Sequence, residues 1–168
     1  MPSPVHPVSP ELVTLPSFTI AGISFEANLK QISEEGLGRK AYETMLSRRE
    51  ELADLHSPYP HLVQVYPMKP GFNPHVDAFR QIIGFLVPEG TEPPEGMSVH
   101  TLPAREYVKA AHRGPEAELG STYDALYGEW MRKNSRCPDG FDFEVWDERY
   151  RPDREDNEID VYIALAKP

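Results

Sequence analysis

The same order of elements occurs twice along this chain. Phe18 to Leu29 reads as a strand by its aromatic and β-branched content, with Gly22 expected as a bulge or bend. A helix follows over about 34–55, where Leu37, Ala41, Met45 and Leu52 share one stripe and the opposite face is charged. Strands come next at His61–Met68 and Arg80–Val87, joined by the turn-rich Pro67-Met-Lys-Pro-Gly-Phe-Asn-Pro. After a punctuated stretch from Pro88 to Gly96 the series resumes. A short strand at Met97–Leu102 precedes a stronger one at Arg105–His112, then a helix over about 116–134. That helix places Leu119, Tyr123, Leu126, Tyr127 and Trp130 on one face. Alternating strands at Phe141–Trp146 and Glu158–Leu165 close the chain, so both halves read β-α-β-β.

Local matches mark this as a duplication. Tyr42-Glu-Thr-Met-Leu46 aligns with Tyr123-Asp-Ala-Leu-Tyr127, and Val63-Gln-Val-Tyr66 with Phe143-Glu-Val-Trp146. Tyr42 to Gln64 is 22 residues and Tyr123 to Glu144 is 21. The expected fold class is α+β: antiparallel strands, helices segregated to one side, the other side partly open. Residues 17–168 form one domain in this reading, with repeat halves at about 17–88 and 97–168. The first 16 residues carry five prolines and no apolar periodicity, which predicts a flexible, extended arm.

Charge narrows the partners. Seventeen basic against 27 acidic residues give a formal charge of −10, which argues against a phosphate-neutralising face and so against direct nucleic-acid binding. Arg48-Arg49 runs straight into Glu50-Glu51, a salt-bridged surface. No apolar run nears the roughly 18 residues of a membrane span, and the N-terminus lacks the basic-then-apolar signal pattern, so a cytoplasmic protein is the default expectation.

Residue parity sorts the two faces of each strand. Phe141, Phe143 and Val145 are expected to pack on the helices with Ile159, Val161, Ile163 and Leu165. Glu144, Trp146 and Tyr162 would then face away from them, joined by Gln64 and Tyr66 if the halves are equivalent. A carboxylate among aromatic rings suits a lipophilic or aromatic cation, because ring faces and carboxylate are both negative. Burial would raise the Glu144 pKa and poise it as a counter-ion or an acid–base group. The same pattern also describes the solvated face of a half-exposed sheet. The helix tyrosines and Trp130 belong first to a core, although Tyr127 and Trp130 could reach a ligand from a cleft edge.

Other chemistry finds little support. Six histidines are scattered without metal-ligand spacing, so neither a metal nor haem is expected, and no cofactor is implied. Cys137 lies in the turn Arg136-Cys-Pro-Asp-Gly140 without a nucleophile signature. Glycine-rich phosphate motifs do not occur. The acidic run Asp153–Glu158 reads as a solvated hairpin loop.

The second half resembles the GyrI-like domain, the effector-binding module of AraC-type and MerR-type activators that also occurs alone. The resemblance is carried by Leu102-Pro-Ala-Arg-Glu-Tyr-Val-Lys-Ala-Ala-His-Arg-Gly114, Leu119-Gly-Ser-Thr-Tyr-Asp-Ala-Leu-Tyr-Gly-Glu-Trp130, Phe143-Glu-Val-Trp146 and Glu158-Ile-Asp-Val-Tyr-Ile163. It spans about residues 17–166, and Ile163-Ala-Leu-Ala departs from the usual Ile-Pro ending. The resemblance implies a ligand cleft between the halves, with Glu144 contacting hydrophobic cations and Tyr162 as the closing-strand aromatic. From the first half it suggests Tyr66, Met68 and Phe85 as further ligand contacts. No helix-turn-helix precedes the domain, so a stand-alone binding module is expected. Two alternatives come with the family. One is a hydrolase opening cyclopropane-containing DNA alkylators, with Glu144 as general base and Tyr107 or Tyr162 as donors. The other is a protein partner that inhibits DNA gyrase.

Overall fold

The computed structural model describes residues 8–168. Its strands in chain order are β1 (Val8–Leu15), β2 (Phe18–Ala27), β3 (His61–Val65), β4 (Phe79–Val87), β5 (Ser98–Leu102), β6 (Arg105–Arg113), β7 (Pro138–Val145) and β8 (Glu158–Leu165). The helices are α1 (Leu29–Glu35), α2 (Leu37–Ser47), α3 (Leu119–Asp124) and α4 (Met131–Asn134). A π-helical stretch, Ala125–Trp130, joins the last two. The fold is mixed α+β with antiparallel pairing, in two compact units: Pro16–Ala104, and residues 8–15 together with Arg105–Pro168.

In the first unit the strands lie in the order β3-β4-β2-β5. Helix α1 begins where Asn28 forms a capping box: its side chain accepts from Gln31 N–H at 2.9 Å, while Gln31 Oε1 accepts from Asn28 N–H at 3.0 Å. Gly36 then adopts φ 61°, in the left-handed region, and ends α1. The single helix expected over about 34–55 therefore starts earlier, breaks at Gly36 and finishes at Ser47. Ala41 and Met45 are the buried residues of α2, and Met45 joins Ala21, Leu52, Phe85, Val87 and Met97 in one cluster. Gly22 opposes Gly84 in an unbroken β2–β4 register, so no bulge forms there. A Cβ on either glycine would run into the other strand's backbone.

The second unit has the order β1-β6-β8-β7. Matched element for element, β6, β7 and β8 repeat β2, β3 and β4, and β1 stands where β5 stands. Residues 8–15 of the expected arm are thus a strand paired with β6, from Leu15 opposite Arg105 to Val8 opposite Ala111. Pro10, on an irregular step between Val8 and Glu11, is tolerated because β1 is an edge strand. Residues 1–7 of that expectation lie outside the described residues.

The ladder also corrects the parity reading. Opposed residues share a face, and Phe143 opposes Tyr162 while Glu144 opposes Val161 and Asp142 opposes Ile163. Phe141 and Phe143 accordingly lie with Tyr107 and Tyr162. Asp142 and Glu144 lie with the aliphatic residues Val161 and Ile163, on the face that the helix covers.

Candidate functional site

Strand β7 presents two carboxylates to the helix. Asp142 is 0% and Glu144 2% exposed, so both are inside the protein. Being two apart on a strand, they point the same way and sit roughly 6.6 Å apart along it. Above them the helix offers Tyr123 and Tyr127, four apart, which advances about 6 Å along a helix axis. The spacings match, and each phenol meets one carboxylate. Tyr123 Oη donates to Glu144 Oε2 at 2.6 Å, and Tyr127 Oη donates to Asp142 Oδ2 at 2.7 Å. The two rings lie nearly parallel, 16° apart with centroids separated by 6.3 Å.

The other Glu144 oxygen accepts from the Trp146 indole N–H at 2.9 Å. The indole is covered in turn by Tyr150, stacked at 4.7 Å and 3°. Tyr150 Oη donates to Glu116 Oε2 at 2.7 Å, and Glu116 N–H donates to the Pro152 carbonyl at 2.8 Å. Buried Asn157 ties the same loop to Gly114 by donating to its carbonyl at 2.8 Å. Arg149 bridges Asp147 at 2.7 Å and Asp160 at 2.8 Å. The acidic run expected as a solvated loop therefore ends in a buried anchor, and the loop before it closes over Trp146.

Burial is the main force on Glu144. It raises the carboxyl, against the two hydrogen bonds from Tyr123 and Trp146, and the like charges of Glu116 and Asp142 push the same way as burial, to about 7. Tyr127 is raised well above its ordinary value, first by burial and then by the Asp142 charge. Among the described residues, no lysine, arginine or histidine forms an ion pair with Glu144. His112, fully buried on the same face, pins α3: it hydrogen-bonds Thr122 Oγ1 at 2.6 Å through Nδ1 and the Pro115 carbonyl at 3.1 Å through Nε2.

The sequence-expected site residues divide. Glu144, Trp146 and Tyr127 meet under the helix, and Trp130 is a half-buried residue at the end of the π-helical stretch. Tyr107 and Tyr162 stand together on the opposite face with Phe143, whose ring stacks on Tyr162 at 4.5 Å. Tyr107 is fully buried and its hydroxyl has no hydrogen-bond partner among the described residues. Lys109 Nζ lies 5.5 Å from the Tyr162 ring centre. In the other unit Phe85 is buried in the core cluster, Tyr66 packs on Phe72 and Phe79, and Met68 is 74% exposed. Sequence reading left Tyr123, Asp142, Glu116 and Tyr150 out of the site. The signal for two of them was present, in a Tyr-x-x-x-Tyr helix followed by an Asp-x-Glu strand.

Comparison with known proteins places the chain among effector-binding domains. The chain belongs to the Cass2 family, integron-associated effector binding proteins, whose model matches residues 11–165. The transcriptional regulator BrlR of Pseudomonas aeruginosa is 26% identical over 156 residues, covering 92% of this chain and 54% of that protein. The chain thus spans about half the length of that curated relative. SAV2435, solved bound to tetraphenylphosphonium, shares the fold at a TM-score of 0.70 and 12% identity, covering 95% of this chain and 94% of that one. The integron cassette protein VCH_CASS2 of Vibrio cholerae does so at 0.63 and 11%, covering 98% and 100%. The GyrI-like resemblance read from the second half holds. Among the described residues, no helix is long and apolar enough to cross a membrane.

Proposed function

We propose that this protein binds hydrophobic organic cations, with Glu144 as the counter-ion and Tyr123, Tyr127 and Trp146 as the apolar, electron-rich lining. One observation carries the reading: a carboxylate only 2% exposed is held by neutral donors and has no basic partner among the described residues. A fold that needed an acid there for stability alone would pair it, because an unpaired buried carboxylate costs several kcal/mol in order-of-magnitude terms. A cationic ligand supplies the missing charge, and the rings supply contact area and quadrupole attraction. Binding of tetraphenylphosphonium by SAV2435, a protein of the same fold, supports this ligand chemistry.

Calorimetric titration with tetraphenylphosphonium and with neutral triphenylphosphine oxide tests the assignment. Glu144→Gln keeps the shape and removes the charge. It is expected to weaken the phosphonium by more than about tenfold, or roughly 1.4 kcal/mol, while the oxide changes little. Equal losses for both compounds would reduce Glu144 to a structural role.

A further inference from the structure

The first unit holds a neutral counterpart of the Glu144 position, with a buried acceptor left over. Aligning the halves sets Gln64 on Glu144, Tyr42 on Tyr123 and Tyr66 on Trp146. An amide thus replaces the acid, and a second amide joins it. Gln64 opposes Gln81 across the β3–β4 ladder, and Gln81 Nε2 donates to Gln64 Oε1 at 2.9 Å. Gln81 is only 4% exposed, yet its own Oε1 has no hydrogen-bond partner among the described residues. A buried carbonyl oxygen without a donor is costly, and folded proteins keep few of them.

That oxygen is aimed at a gap in the helical cover. A Cβ placed on Gly38 of α2 would stand 3.9 Å from Gln81 Oε1 and 3.9 Å from Ile32 Cγ2 of α1. Both are ordinary contact distances, so the glycine leaves room for a methyl group over the acceptor. Gly38 and Ile32 are themselves only half-buried, and α1 contributes no buried residue. Moving Ile32 therefore widens the gap at little cost in packing. The strand positions around Gln81 on this face are apolar: Phe25 opposes it, and Phe79 and Ile83 lie two residues to either side. No carboxylate stands among them to hold a cation. We propose that the first unit has a second ligand site, under α1 and α2, for neutral molecules that carry a hydrogen-bond donor on an apolar body, such as phenols. The donor satisfies Gln81 Oε1, and the ring gains contact with Ile32 and the strand face that a water in the same gap would not. The site does not rest on the cation-binding reading above.

Nuclear magnetic resonance of the full chain, titrated with phenol and with its methyl ether anisole, tests the site. The Gln81 side-chain amide signal is identified by its loss in Gln81→Leu. Phenol is expected to shift that signal and the Gly38 backbone amide, and to bind about tenfold tighter than anisole, which lacks the donor. Gly38→Ala fills the gap with a methyl group and favours the helix, so it should fold well and weaken phenol by more than about tenfold. Gln81→Leu should bring the ratio of phenol to anisole affinity to about one. Neither substitution should change tetraphenylphosphonium binding, and Glu144→Gln should leave phenol binding as it is. No phenol response at Gln81 and Gly38, equal binding of phenol and anisole, or a phenol affinity that Gly38→Ala leaves unchanged overturns the inference, and in these cases the cation-binding reading stands. Phenol binding lost in Glu144→Gln would assign phenol to the second unit and overturns the inference as well.

Discussion

Glu144 makes the protein's stability depend on pH in a direction opposite to that of a salt-bridged carboxylate, whose pKa is lowered by folding. Its unfolded value is near 4.5 and its folded value is raised to about 7, chiefly by burial. Between those values the native state holds a proton that the unfolded chain has lost. The stabilising contribution of the protonated form is complete below the lower value and disappears as pH rises through the upper one. A shift of that size amounts to something on the order of 3 kcal/mol. Glu144→Gln cannot ionise and lacks this dependence. In urea unfolding, the substitution is expected to gain stability relative to the parent on going from pH 5 to pH 8. A constant difference between the two proteins at both pH values would mean that Glu144 does not titrate inside the fold.

The helix above the site is not uniformly α-helical. Its central stretch, Ala125–Trp130, is π-helical and carries Tyr127, while Tyr123 lies in the regular turns before it. Such wide turns recur at functional sites because they re-aim side chains at a cost in helix geometry. Here they accompany a register in which phenols four apart on the helix meet acids two apart on the strand. Tyr123→Phe deletes one donor to a buried carboxylate and is expected to cost about 1–3 kcal/mol at pH 8, where Glu144 is mostly ionised. At pH 5 the cost should be smaller, because a protonated carboxyl makes a weaker demand for donors. Equal losses at both pH values would place the effect in packing rather than in the charge. This level is also where sequence reading reached its limit. The order of elements from β2 onward and the aliphatic stripe of β8 were legible, because strands and helices leave different periods. The face occupied by Glu144 was not, because Phe143 at 4% and Glu144 at 2% exposed are both buried. Alternation separates inside from outside only when one side is wet. On a strand covered on both faces, the register with the neighbouring strand decides, and register is a property of the pair.

Across the whole chain, the duplication and the composition of the units do not follow the same division. Each half of the sequence contains a short leading strand, β1 or β5, followed by a strand-helix-strand-strand series. Yet β1 pairs with β6 and β5 pairs with β2, so each unit takes its outer strand from the other half. Only Pro16-Ser17 and Pro103-Ala104 separate the exchanged strands from the series they precede. The stretch from Pro88 to Gly96 thus separates the sequence repeats but not the units, since β5 pairs back onto β2, and the proline-rich start hid β1 because prolines are tolerated on an edge strand. A unit completed by a strand from elsewhere should respond to loss of that strand locally. A chain beginning at Pro16 strips β6 of its pairing with β1 from Arg105 to Ala111 and leaves its pairing with β8. At about 0.5–1.5 kcal/mol per backbone hydrogen bond, the deletion should cost on the order of 3 kcal/mol. Hydrogen exchange should show lost protection along β6 and retained protection along β2 and β4, and a synthetic peptide of residues 8–15 should restore it. Unchanged exchange along β6 would show that β1 is a passive cover. Uniform loss through both units would show that the exchanged strand holds more than its own unit.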